Sequence, residues 1–232
     1  MVVFEDSFNG STIDLSSWDV RGTAANQSGG KVNLLESGII IRGSFAAPYT
    51  LTGSYLQPSN SINSYYSSFD IFFRTSGNND GIRVSLGVNS YSIARPVWDN
   101  FSAYTILKSS SNSSLFQPIT PDFTAAPDTE HFFTIRDSGD IVSIDIDGIN
   151  IFEGGVSIEP PLGIPTPTSW GDTIAFYAPA LWVGDNFLFT TVPTGGVDLM
   201  GVQVIIPEPS SLSLLLIGVA GVASRRLLKR KG

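Results

Sequence analysis

Short apolar stretches, many with a hydrophobic residue at every second position, recur along the chain between runs rich in Gly, Pro, Ser, Thr and Asn. A period of two with frequent turn residues predicts many short strands, not helices, and an all-β domain with one buried core. The clearest segment is residues 131–155, HFFTIRDSGDIVSIDIDGINIFEGG. With Asp147-Gly148 as a two-residue loop, Ile146 faces Ile149 and Ile144 faces Ile151. With Ser138-Gly139 as another, Ile135 faces Val142 and Phe133 faces Ile144. Three strands then share one apolar face, a meander with one side on a core and one side wet.

The same reading extends in both directions. In SFDIFFRTSGNNDGIRVSLGV, residues 68–88, Phe69, Ile71 and Phe73 alternate with Asp70, Phe72 and Arg74, which predicts a strand covered on both faces for part of its length. The Gly/Asn/Asp run at 77–81 is a hairpin loop, without the acidic alternation and distal Glu of a helix-loop-helix calcium site. SYSIARPVWDNFSAYTILK and DTIAFYAPALWVGDNFLFTT supply further strands, and 108–130 is a Ser/Asn/Pro-rich excursion. Residues 191–206 mix turn residues with a short apolar end and read as a linker, or as a last edge strand followed by one. The expected organisation is a sandwich over 1–192, a linker over 193–209, a membrane segment over 210–228 and a basic end over 229–232.

Composition narrows the chemistry. Charged residues make up only 15% of the 232, and there is no Cys, so disulfides, thiolate metal sites and thiol nucleophiles are excluded. Five of the 13 basic residues (Arg225, Arg226, Lys229, Arg230 and Lys231) fall in the last eight positions. The remaining eight basic residues stand against 21 acidic ones, a net of −13, which argues against nucleic acid as a partner.

The C-terminus reads PEPSSLSLLLIGVAGVASRRLLKRKG. A helix from Leu212 to Ala223 has no polar face apart from Ser213, and Leu227 and Leu228 lengthen it if Arg225 and Arg226 snorkel to the interface. Pro207 and Pro209 stop it on one side, and the basic cluster holds the other on the cytoplasmic side. Pro207-Glu208-Pro209, the apolar stretch and the Arg/Lys cluster, in that order, resemble the PEP-CTERM sorting signal of Gram-negative bacteria. The resemblance implies export, anchoring in the inner membrane that is at least transient, processing by an exosortase-type enzyme near the Pro-Glu-Pro motif, and an association with exopolysaccharide at the cell surface or in the extracellular matrix. The opening MVVFEDSFNG has no basic n-region and no apolar h-region, so the export signal is expected upstream of this start or already removed.

The opening FEDSFNGSTIDLSSWDV resembles the start of concanavalin A-like domains, the jelly rolls of legume-type lectins, laminin-G modules and family 16 glycoside hydrolases. LWVGDNFLFTT resembles their last strand. The resemblance implies two antiparallel sheets packed face to face, in agreement with the hairpin pattern. It also implies a structural calcium held by Glu5 or Asp6 of the first strand and Asp185 of the last, with solvated carboxylates as the alternative.

Family 16 enzymes place two carboxylates about 5 Å apart in a Glu-x-Asp-x-Glu-like motif. The best match is Ser143-Ile144-Asp145-Ile146-Asp147, where a serine replaces the first Glu and Asp147 falls in a turn, so no catalytic residues are expected. His131 is the only histidine and reads as a structural strand-end residue. For sugar stacking the candidates are Trp98 with Arg95, Asp99 and Asn100, and Trp170 with Asp172, each with burial in the core or over a sheet end as the alternative. Three functions stay open: a non-catalytic module binding polysaccharide or the cell envelope, a structural matrix protein without a defined ligand, and a diverged glycosidase.

Overall fold

The computed structural model describes residues 1–22, 25–35, 37–57, 68–75, 81–87, 90–97, 100–109, 111–112, 117–118, 126–155, 171–178 and 196–207. Their strands are β1 (Val2–Asp6), β2 (Trp18–Arg21), β3 (Asn26–Ser28), β4 (Lys31–Leu34), β5 (Ser37–Ile41), β6 (Tyr49–Leu56), β7 (Ser68–Thr75), β8 (Ile82–Gly87), β9 (Ser90–Val97), β10 (Asn100–Ser109), β11 (Ser111–Asn112), β12 (Gln117–Pro118), β13 (Glu130–Asp137), β14 (Ile141–Ile146), β15 (Ile149–Gly155), β16 (Thr173–Ala178) and β17 (Val197–Ile205). An eight-stranded sheet runs β15-β14-β13-β6-β17-β4-β3, with β1 also on β17, and a seven-stranded sheet runs β10-β9-β8-β7-β16-β5-β2. All pairings are antiparallel, and β11 and β12 form a separate small ribbon. The inward residues of both sheets make one core that includes Trp18, Phe69, Phe133, Phe176 and Val204.

The motif residues of the opening form one cluster. Asp6 accepts the Phe8 amide on Oδ1 and the Trp18 indole N–H on Oδ2, both at 2.7 Å. The Trp18 ring then packs edge-on to Phe4 at 5.2 Å and beside Phe8 at 5.6 Å. The turn before Trp18 is closed on the Asp14 carbonyl, and the Ser16 and Ser17 hydroxyls hold the Asp14 carboxyl below its ordinary range.

The meander forms with three differences, one of them between β14 and β15, where Ile146 pairs with Ile149 as expected but a register shift sets Ile144 opposite Phe152 instead of Ile151. Asp147 and Gly148 both have positive φ, 51° and 76°, as a tight hairpin turn of the mirror-image type requires. At the first turn, however, Asp137 pairs with Val142 and Ile135 with Ile144, two residues away from the expected register. The loop holds four residues, Ser138 to Ile141, closed by the Ser138 amide and hydroxyl on the Ile141 carbonyl. A shift of two keeps every side chain on its face, so Phe133, Ile135, Val142, Ile144, Ile146 and Ile151 are buried as expected. Ile149 is not: at the turn end of the edge strand β15 it stays 45% exposed.

Of the two readings of this segment the linker needs correction: residues 197–205 are a strand, β17, as in the alternative, but one paired on both sides and not an edge. This strand lies between β6 and a side shared by β4 and β1, and it buries Val197, Leu199, Val202 and Val204. The sandwich therefore does not end at 192. Its pairing continues to Ile206, whose amide donates to the Met1 carbonyl. The tail from Glu208 onward, including the expected membrane helix, lies outside the described residues.

Candidate functional site on the seven-stranded sheet

Strand alternation and register build a grid on the outer face of the seven-stranded sheet. In one row Arg21 of β2 lies opposite Gly38 of β5, Gly38 opposite Tyr177 of β16, Tyr177 opposite Asp70 of β7, and Asp70 opposite Ser85 of β8. In the next row, Asp19, Ile40, Ala175, Phe72 and Arg83 pair in the same strand order. Trp18, Ile39, Phe176, Ile71 and Val84 alternate with these and fill the core.

The middle of the grid is packed. Phe72 and Ile40 are buried, and the Tyr177 ring meets Phe72 edge-on at 5.6 Å and 82°. Tyr177 can lie flat because position 38 is glycine: a Cβ there would sit 2.2 Å from the ring. Burial pushes the Tyr177 phenol above its ordinary pKa, with nearby Arg21 pulling it down and Asp19 adding to the rise. Arg83 donates to Asp70 at 2.7 Å and stands over the Phe72 ring at 5.9 Å, and the Ser85 hydroxyl donates to the other oxygen of Asp70 at 2.6 Å.

Toward β2 the grid opens into a shallow hollow of roughly 340 Å³, lined by Asp19, Arg21, Ile40, Arg42, Gly43 and Thr173. Arg21 bridges to Asp19 at 3.1 Å, and Arg42 stands 3.8 Å from the other oxygen of the same carboxylate. The Arg42 Nε–H donates to the Trp18 carbonyl at 3.2 Å, which fixes the plane of its guanidinium.

Of the residues expected to contact sugar, Arg95 and Asn100 fall in β9 and β10, whereas Trp98, Asp99 and Trp170 lie outside the described residues. Asp172 accepts from the Ser44 hydroxyl and, through its carbonyl, from the Phe45 amide. For the expected calcium, Glu5 is opposite Gln203 and Asp6 opposite Val202, and both oxygens of Asp6 are spent on Phe8 and Trp18. Asp185 lies outside the described residues, and among those described no group of three His, Cys, Asp or Glu residues is placed to hold a metal.

Asp145 and Asp147 sit on the other sheet. Asp145 accepts from Arg136 and from Asn150, and Asp147 accepts the Phe132 amide at 2.8 Å and meets His131 Nδ1 at 2.7 Å. His131 is buried, and its Nε2 reaches the Ala126 carbonyl at 2.9 Å, the structural place expected for it.

Sequence reasoning did not single out Tyr177, Asp19, Arg21 or Arg42. The available signal was local, Asp19 and Arg21 alternating with Trp18 and Val20, but only the strand order brings them beside Tyr177.

Two antiparallel sheets in this arrangement define a concanavalin A-like lectin/glucanase fold, and solved structures agree. The chain is similar to one of the endo-acting O-glycanases with which prominent members of the human gut microbiota initiate mucin breakdown (12% identity, 90% of this chain and 100% of that one, TM-score 0.59). It is also similar to a laminarinase from Flavobacterium sp. UMI-01 (12% identity, 89% and 100%, TM-score 0.58). The exoplasmic/lumenal domain of VIP36 in its Ca2+- and mannose-bound form is a third (10% identity, 84% and 85%, TM-score 0.54). Residues 206–230 match the PEP-CTERM protein-sorting motif, which marks the chain as an exported, membrane-sorted protein. No curated protein matches the chain in sequence.

Proposed function

We propose that this chain is a non-catalytic glycan-recognition protein, exported and sorted through the membrane, that holds extracellular polysaccharide on the outer face of its seven-stranded sheet. The observation that carries the reading is the grid itself: a half-buried tyrosine ring braced by Phe72 and Gly38, next to an open hollow rimmed by arginine and aspartate. Aromatic surface beside a few fixed polar groups is the usual composition of a small-molecule site, with the ring giving contact area and the polar groups orientation. Carbohydrate partners of the structural neighbours, mannose for VIP36 among them, support it.

The non-catalytic part rests on the carboxylates. Glycoside hydrolysis needs two carboxyl groups free to take the roles of acid and nucleophile or base. On this face, among the described residues, Asp70 is fully buried under Arg83 and Ser85, and Asp19 is shared by two guanidinium groups. The tail completes the proposal: 210–228 spans the inner membrane with the basic end in the cytoplasm, and an exosortase-type enzyme processes the chain near Pro207-Glu208-Pro209 before release to the surface or matrix.

Incubating the full chain in detergent with an array of bacterial and plant polysaccharides, with calcium and with chelator, tests both halves. Saturable binding that is equal in calcium and in chelator, without release of reducing ends, is expected. Reducing sugar in the supernatant would contradict the non-catalytic reading, and absence of binding to every polysaccharide would favour a structural matrix protein.

A further inference from the structure

The hollow is charged against the rest of the molecule. Asp19, Arg21 and Arg42 together carry a net charge of +1, in a chain whose first 224 residues carry −13. Both arginines are about half exposed, 55% and 54% of the side chain, although a purely structural ion pair would need only one of them to satisfy Asp19. Arg21 does so at 3.1 Å, while Arg42 is too far for a hydrogen bond at 3.8 Å. With its Nε–H committed to the Trp18 carbonyl, Arg42 holds its two terminal amino groups as a fixed fork without a hydrogen bond among the described residues. Such a planar pair of donors matches a carboxylate in bidentate geometry, and its orientation is set before any ligand arrives.

From these observations we infer that the site takes an acidic polysaccharide, with the carboxylate of a uronic acid residue on Arg42 and Arg21 and a neighbouring sugar ring on Tyr177. The inference rests on the glycan-binding reading of the same face and adds its substrate class. Two strand spacings separate the Tyr177 strand from that of Arg21, about 10 Å, so one oligosaccharide lying across the strands spans both features. The net −13 of the first 224 residues sharpens the recognition, because it opposes general attraction of polyanions to the sandwich while the rim itself carries a positive charge.

The test is titration of the full chain in detergent with oligogalacturonate, with neutral laminarin oligosaccharides of equal length and with dextran sulfate. Oligogalacturonate is expected to bind best, and Arg21→Gln with Arg42→Gln to weaken it about tenfold or more. Arg136→Gln, which removes one positive charge on the other sheet, should leave it unaltered. Equal binding of laminarin and oligogalacturonate, unaffected by the arginine variants, would overturn the acidic-sugar inference and leave the glycan-binding reading standing. Preference for dextran sulfate, or equal loss in Arg136→Gln, would also overturn it, as general polyanion attraction. Weaker oligogalacturonate binding in Tyr177→Ala as well as in Arg21→Gln/Arg42→Gln, with each variant still unfolding cooperatively, supports one continuous site, whereas no binding to the unaltered chain overturns both readings.

Discussion

At Arg74 the backbone takes a φ of 54°, unusual for a residue with a side chain, and the register between β7 and β16 slips alongside it. Strict alternation would point Arg74 outward after Asp70 and Phe72; the irregularity turns it inward, where its guanidinium grips both oxygens of buried Asp137 on the opposite sheet. Tyr49 stands beside the same pair. Arg74→Ala should lower unfolding free energy by about 3–5 kcal/mol in denaturant titration, since Asp137 would be left buried without its partner. Burial, with the Asp137 charge beside Tyr49 and the Asp147 charge near Tyr55, pushes both phenols above their ordinary value of 10.0. The unfolded chain therefore releases these protons first as pH rises through 10, while the folded chain keeps them. Stability is complete below that pH and should fall above it by about 1.4 kcal/mol per pH unit for each tyrosine, read from denaturation midpoints on either side. The sequence could announce Asp147 as a turn residue, because Asp-Gly carries that preference locally, but not the Arg74 partner, which lies 63 positions away.

Among elements, the apolar faces were legible and the registers were not. Alternation survives a two-residue slip, so the meander buried the expected side although its first loop is longer than expected. The extent of β17 and its place inside the sheet were not legible for a related reason: its pairing to β6 slips between Leu199 and Gly201, so Val197 and Leu199 share the core side with Val202 and Val204, and the period of two breaks in the middle. Glycines before and within it completed the likeness to a linker. The corrected boundary has a direct consequence. A chain ending after Pro207 should unfold cooperatively and give dispersed amide resonances, whereas one ending at Thr191 should not fold, since β1 would lose its partner and β4 and β6 would each lose one of two. Folding of the shorter chain would return β17 to the status of a dispensable edge.

For the whole molecule, the fold class could be read from strand pattern and opening motif, and the tail from its three ordered parts; the binding face could not, because its residues come from β2, β5, β7, β8 and β16 and meet only through topology. The sheet and the sorting motif are nearly contiguous, with pairing as far as Ile206 and the motif starting at Pro207. A folded sandwich at that distance restricts access to the processing site, so a flexible Gly/Ser insert between Ile206 and Pro207 should raise the processed fraction in a cell that carries the sorting enzyme, seen as a shift on an immunoblot. Polysaccharide binding is proposed for the outer face of the seven-stranded sheet. Calorimetric titration of a polysaccharide ligand into the unaltered chain and into Tyr177→Ala tests it most directly. Saturable binding is expected, about tenfold or more weaker in the variant while its thermal unfolding stays cooperative; equal affinity in both proteins would move the site away from this sheet.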